Sequence, residues 1–151
     1  MQDAVAFFAL RLIFGMSLML CTMPRDSVPS AFFRIILLVM LGLSSLFSLT
    51  SPAMLWWGTA LGAGAFVGSV LWLLERRRAG TLAIGLILAV SCMAAIQLAA
   101  HSAAPVSIGS TRGQWLPILS SLSSAGTLGA AMAGMLLGHR YLTAPGMPLT
   151  P

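Results

Sequence analysis

The chain has 151 residues, 58% hydrophobic and 7% charged, with a mean hydropathy of +0.96. Soluble domains carry about 25% charged residues, so a water-soluble fold is excluded: too little polar surface exists to cover it. The net charge is +5, and every cationic side chain other than histidine is arginine. These arginines lie between apolar runs, which speaks for membrane topology and against nucleic-acid binding. The length permits one domain, so residues 1–151 are read as a single transmembrane unit. The lysine-free, arginine- and alanine-rich usage points to a GC-rich bacterial genome.

The first apolar segment runs from about Ala4 to Met23. It lacks the positive start of a signal peptide and is longer than a typical signal core, so it is expected to stay as a helix. Leu18-Met19-Leu20-Cys21 has the outline of a lipoprotein site, but the bulky Leu20 is wrong for cleavage there. Pro24 to Ser30 reads as a turn, with Ser30 suited to cap the next helix. The second segment spans about 31–49 and carries Arg34 in its first turns; Thr50-Ser51-Pro52 is a tight turn. The third spans 53–74 and ends in Glu75-Arg76-Arg77-Arg78-Ala79-Gly80, read as a connection. The fourth spans about 81–100, and a longer loop from His101 to Gln114 leads to the fifth, 116–138. Leu116 to Leu137 has no charge and as a helix reaches about 33 Å, enough for a bilayer core of about 30 Å.

All prolines fall between these segments or at their ends. Proline costs a helix interior about 3 kcal/mol, so the placement supports the parsing. The segments are apolar around most of their circumference, as membrane helices are, and alternating strands of the barrel type are not visible. The expected fold class is therefore all-α: an integral membrane bundle of five transmembrane helices. Cys21 and Cys92 fall at depths that differ by about 10 Å, too far for a disulfide, and read as small buried hydrophobes.

Arginine placement sets the orientation. Arg25, Arg34, Arg76, Arg77, Arg78 and Arg140 share one side; Arg112 lies on the other, with Arg11 slightly buried there. The positive-inside bias predicts the N-terminus out and the C-terminus in. Trp56, Trp57 and Trp115 then form an outer aromatic belt, with Trp72 and Tyr141 near the inner face. Trp57-Gly58-Thr59-Ala60-Leu61-Gly62 is faintly similar to Trp115 followed by Gly126-Thr127-Leu128-Gly129. The second and third helices would then relate to the fourth and fifth as parallel repeats, although coincidence of composition explains the similarity more simply.

Small residues at helical spacing mark close helix contacts. On the fifth helix these are Gly126, Ala130, Gly134 and Gly138, spaced by four and so on one face. On the third they are Gly58/Gly62 and Gly64/Gly68. Ser120, Ser121, Ser123 and Ser124 suit either a polar path or hydrogen bonds back to their own helix. Arg11 lies about 10 Å into its helix, where a charge costs about 2.5–3.5 kcal/mol near mid-bilayer. It either snorkels to the interface or finds a partner. Gln97 and His101, four apart and at comparable depth, are the candidates for an outer-leaflet cluster with it that would contact an anionic headgroup or ligand. His139 and Arg140 end the fifth helix, where positive side chains suit the dipole and open carbonyls, or contact lipid or a partner subunit.

Gly138-His139-Arg140-Tyr141-Leu142, continuing to Gly146, resembles a Gly-His-Trp-Tyr-Leu motif of uncharacterised bacterial multi-pass membrane proteins. The resemblance covers about the last forty residues, and Arg140 stands where tryptophan is the pattern. It implies a multi-pass membrane fold, implies no catalytic residue, and implies that further helices can follow Pro151.

The charged residues supply little chemistry. Asp3, Asp26 and Glu75 are interfacial, so a carboxylate proton relay is unsupported. There is no lysine for a Ser–Lys dyad or Schiff base, and no zinc, Cys-x-x-Cys or phosphate-loop motif. His101 and His139 fall at opposite membrane faces, too far apart for one chain to clamp a haem, though one axial histidine or a dimer remains open. The expectation is a non-catalytic subunit or scaffold of the bacterial inner membrane, with no metal or resident cofactor, packing against partner subunits or a second copy. The alternatives are a small transporter using the Arg11/Gln97/His101 pocket, or a haem-binding redox subunit.

Overall fold

The computed structural model describes residues 2–23, 28–102 and 111–143. Five helices follow in order: α1 Gln2–Thr22, α2 Ser30–Thr50, α3 Leu55–Leu73, α4 Arg77–Ser102 and α5 Thr111–Thr143, with a single 3₁₀ turn, Pro52–Met54, leading into α3. No strand occurs among the described residues. Ala4–Thr22, Ser30–Thr50, Pro52–Leu73 and Arg77–Leu98 are each long and apolar enough to cross a membrane, whereas α5 has a shorter apolar stretch, Leu122–Leu136. The 21 residues of α2 extend about 31 Å, close to the thickness of a bilayer core.

α1 packs against α2, α4 and α5, and α3 packs against α2 and α4. The first four helices therefore close a ring, and α5 lies outside it, against α1. Each ring helix contributes an inward stripe at spacings of three and four. On α2 the stripe is Phe33, Ile36, Leu37, Met40, Ser44 and Phe47. On α3 it is Gly58, Leu61, Ala65, Gly68, Ser69 and Trp72. Leu10, Ile13, Met16 and Leu20 come from α1, and Ile84, Ile87 and Ala94 from α4. Three buried hydroxyls are satisfied within their own helices: Ser17, Ser44 and Ser91 donate to the carbonyls of Phe14, Leu41 and Leu88 at 2.8, 2.7 and 2.9 Å. Cys21 and Cys92 are half-buried thiols and are not bonded to each other.

Several boundaries differ from the sequence expectation. Pro29, not Ser30, precedes α2 in extended conformation, and no side chain caps that end; proline's φ is preset for the role. Arg77 to Gly80 form the first turn of α4 and not a loop. The reversal before them needs only three residues. Glu75 takes a left-handed φ of 56°, and the Arg76 amide donates to the Leu71 carbonyl at 3.0 Å. This is a Schellman-type closure with glutamate at the position glycine usually holds. α5 starts at Thr111, so Pro117 lies inside it. The idea that no proline interrupts a helix fails there: the helix runs on without the one backbone bond that Pro117 cannot donate.

Trp72, one residue from the end of α3, is turned into the core. It is 1% exposed and stacks on Phe33, with ring centroids 4.1 Å apart and planes 3° from parallel. Trp56, by contrast, is 80% exposed. Finally, among the described residues α4 and α5 do not pack on each other as extensively as α2 and α3 do.

Candidate functional site

Among the described glycines, those of α1 and α5 are the ones whose added Cβ would run into the backbone of another helix, and the contact is made by glycine on both sides. A Cβ on Gly15 would collide with the backbone carbonyl of Ala125 and lie 2.9 Å from the Gly129 Cα. A Cβ on Gly129 would collide with the backbone of Gly15. Around this crossing Ala125 and Ala133 are buried. The face of α5 turned to the chain is thus Ala125, Gly129 and Ala133, one residue out of step with the expected stripe. A Cβ on Gly126 would meet Leu18 at 3.9 Å, and one on Gly134 or Gly138 would meet nothing of the described neighbouring helices within 4 Å. Ala130 is half-buried. Gly15 was the missed signal: a lone glycine in α1 with no partner at spacing four.

On α3 the expected glycines do meet neighbouring helices. A Cβ on Gly58 would run into the Ser48 hydroxyl and lie 3.1 Å from Phe47; one on Gly62 would lie 3.0 Å from the Ser44 hydroxyl. Both face α2. Gly64 faces Ile87 of α4, and Gly68 sits between Leu37 of α2 and Ala83 of α4. The two pairs serve two partners, because spacing of six turns the second pair away from the first.

Along one side of the α2–α3 contact, Ser44, Ser45, Ser48, Leu49, Gly58, Thr59 and Gly62 line an open groove of ≈ 340 Å³. The hydroxyl protons are committed: Ser45 donates to Leu41, Ser48 to Ser44 and Thr59 to Trp56, at 3.0, 2.9 and 2.9 Å. The groove therefore offers oxygen lone pairs and no free donor. Its serines were not singled out by the sequence, because Ser44, Ser45 and Ser48 look like ordinary helix serines until Gly58 and Gly62 are set opposite them.

The residues expected to form the outer polar cluster differ in exposure. Arg11 is half-buried and Gln97 exposed. Gln97 lies off the inward stripe of α4, whose neighbouring members Ala94 and Leu98 are buried. The side chain of His101 lies outside the described residues, as does that of Arg140; His139 is exposed. Ser123 of the α5 serines is exposed and Ser124 half-buried. Among the described residues no three of His, Cys, Asp and Glu stand together in a way that could hold a metal ion.

Among the described residues the arrangement can make close helix contacts and accept hydrogen bonds. Comparison with known proteins gives no match to any family model, any curated protein or any solved structure.

Proposed function

We propose that the chain is a non-catalytic, multi-pass subunit of a bacterial inner-membrane complex, with its N-terminus outside and its C-terminus inside, and that it offers α5 to a partner helix. The observation that carries this reading is the outward side of α5. Gly134 and Gly138 look into open space, and Met135 beside them is 73% exposed. In a bilayer, small residues on a lipid-facing helix permit close approach of another backbone. The arginines grouped at the α3–α4 connection support the orientation.

The test is Gly134→Leu, with Gly85→Leu as control, since Gly85 on α4 is equally open. Both proteins should fold. Recovery of stoichiometric membrane partners, or of a second copy, from mild detergent should fall for Gly134→Leu alone. Equal recovery for both variants would sink the reading. Orientation is tested separately: Ser110→Cys should react with an impermeant thiol reagent from outside, and Arg78→Cys only from inside.

A further inference from the structure

We infer that the groove along the α2–α3 contact seats the primary ammonium of an aminophospholipid, of the phosphatidylethanolamine type. This goes beyond the subunit reading and rests only on the chain's lying in a bilayer. The groove is open, and Leu49, one of the residues that line it, stands next to the end of α2 at Thr50. From Thr50 back to Ser44 the lining reaches only about 9 Å down the helix. α2 is long and apolar enough to cross a membrane, so its end, and the mouth of the groove with it, lies toward headgroup level.

The lining selects the ligand by what it lacks. Its four hydroxyls all spend their protons on their own helices: Ser44 and Ser45 on the Leu41 carbonyl, Ser48 on that of Ser44, and Thr59 on that of Trp56. Each oxygen keeps lone pairs and has no proton to give. A phosphate or carbonyl oxygen would find no side-chain donor among the lining residues, whereas an N–H finds several acceptors. Charge points the same way. The chain carries +5, yet from Ile35 to Leu74 it has no charged residue and no histidine. Neither helix sets a like charge beside a cation in this groove, and neither offers an anion a counter-charge. A primary ammonium brings three donors. Ser45 and Thr59 are exposed and Ser48 is half-buried, so three acceptors stand on the open side. Such charge-assisted bonds are roughly twice as strong as neutral ones. The remaining lining is apolar: Leu49, 79% exposed, and two glycines. That suits a ligand with acyl chains attached and not a free, fully hydrated amine.

The test uses the full chain in nanodiscs and a lipid series in which the N–H count alone changes: phosphatidylethanolamine, its monomethyl and dimethyl forms, and phosphatidylcholine. All four keep the same charge. Native mass spectrometry of mixed nanodiscs reads the lipid retained. Retention should fall stepwise with each methyl group, and phosphatidylcholine should be retained least. Ser45→Ala combined with Thr59→Val removes two exposed acceptors and should cut the preference for phosphatidylethanolamine over phosphatidylcholine about fivefold. Thr81→Val should leave it unchanged, because Thr81 bonds back to Arg77 on α4 and lies outside the groove. Equal retention across the series would overturn the site, and so would a preference that survives Ser45→Ala/Thr59→Val or falls equally in Thr81→Val. The series on the unaltered chain decides if the double variant does not fold. Competition by glycerophosphoethanolamine, which has the headgroup and no chains, as strong as that by short-chain phosphatidylethanolamine would overturn the assignment to lipid. Failure to enter a phosphatidylcholine nanodisc would overturn the membrane premise and the site together, whereas entry without preference would overturn the site alone.

Discussion

α3 and α5 carry the same kind of small-residue periodicity and use it in opposite ways. α3 sits between two neighbours and turns a glycine pair to each: Gly58 and Gly62 to α2, Gly64 and Gly68 toward α4. Among the described residues α5 packs chiefly on α1, and it carries two small stripes one residue apart. It uses Ala125, Gly129 and Ala133, and leaves Gly134 and Gly138 open. The lesson is that spacing identifies a helix able to pack closely, while the partner selects the face. Gly15 makes that selection on α1, because only there does another backbone come near enough to need Gly129.

The most damaging way to break the comparison is at the crossing itself. Gly129→Leu and Gly15→Leu should each cost about 3 kcal/mol or more, because the added atoms meet backbone, which cannot move aside. Gly129→Ala should already be destabilising. The midpoint of unfolding in detergent is the measurement, and α5 should become the first segment open to proteolysis. Tolerance of Gly129→Leu would mean that α5 is held by something other than this crossing.

Next in size is the contrast between Gly134 and Leu136. Leu136 packs partly buried against the core, while Gly134 meets nothing. Leu136→Gly should therefore destabilise the isolated chain by about 2 kcal/mol, from lost packing and a weaker helix. Gly134→Leu should leave it as stable as before. In partner recovery the order should reverse. That crossover separates a face used within the chain from one used between chains, and a single ranking in both assays would erase the distinction.

A smaller effect is expected on α3. The atom that a Cβ on Gly58 would strike is the Ser48 hydroxyl, the end of a side chain that can rotate away. Gly58→Ala should cost about 1 kcal/mol, below Gly129→Ala, and Ser48→Ala should recover most of it. Failure of Ser48→Ala to rescue would place the strain on Phe47 instead.

The helix content and four long apolar helices were legible because hydropathy and segment length report directly on them. What was not legible depends on neighbours. The sequence around Gly80 reads as a loop breaker, yet the residue is a seat for Trp72. Glu75 gives no sign that it will take a left-handed φ and let α4 start at once. Pro117 reads as a helix start, but α5 begins upstream of it. Among the candidate site residues, the α3 glycines could be placed because they crowd two faces of one helix. The face of α5 could not, since two stripes compete and helix rotation is set by tertiary packing.

The smallest effect concerns Arg11 and Gln97, the part of the proposed outer cluster whose side chains are described. α1 and α4 pack together, but Gln97 is exposed while Arg11 is half-buried. Gln97→Leu should change stability by less than about 0.5 kcal/mol, as substitutions away from packed features do. Arg11→Lys keeps the charge and the reach to the interface, and loses only the forked geometry. An exposed Gln97 should add little to Arg11, so the double-mutant cycle should show coupling no larger than about 0.5 kcal/mol. Coupling of about 1 kcal/mol or more would mean that the two groups share one network. The chain would then have a built polar pocket between α1 and α4, and a small-ligand transporter would become the stronger account of it than a packing subunit.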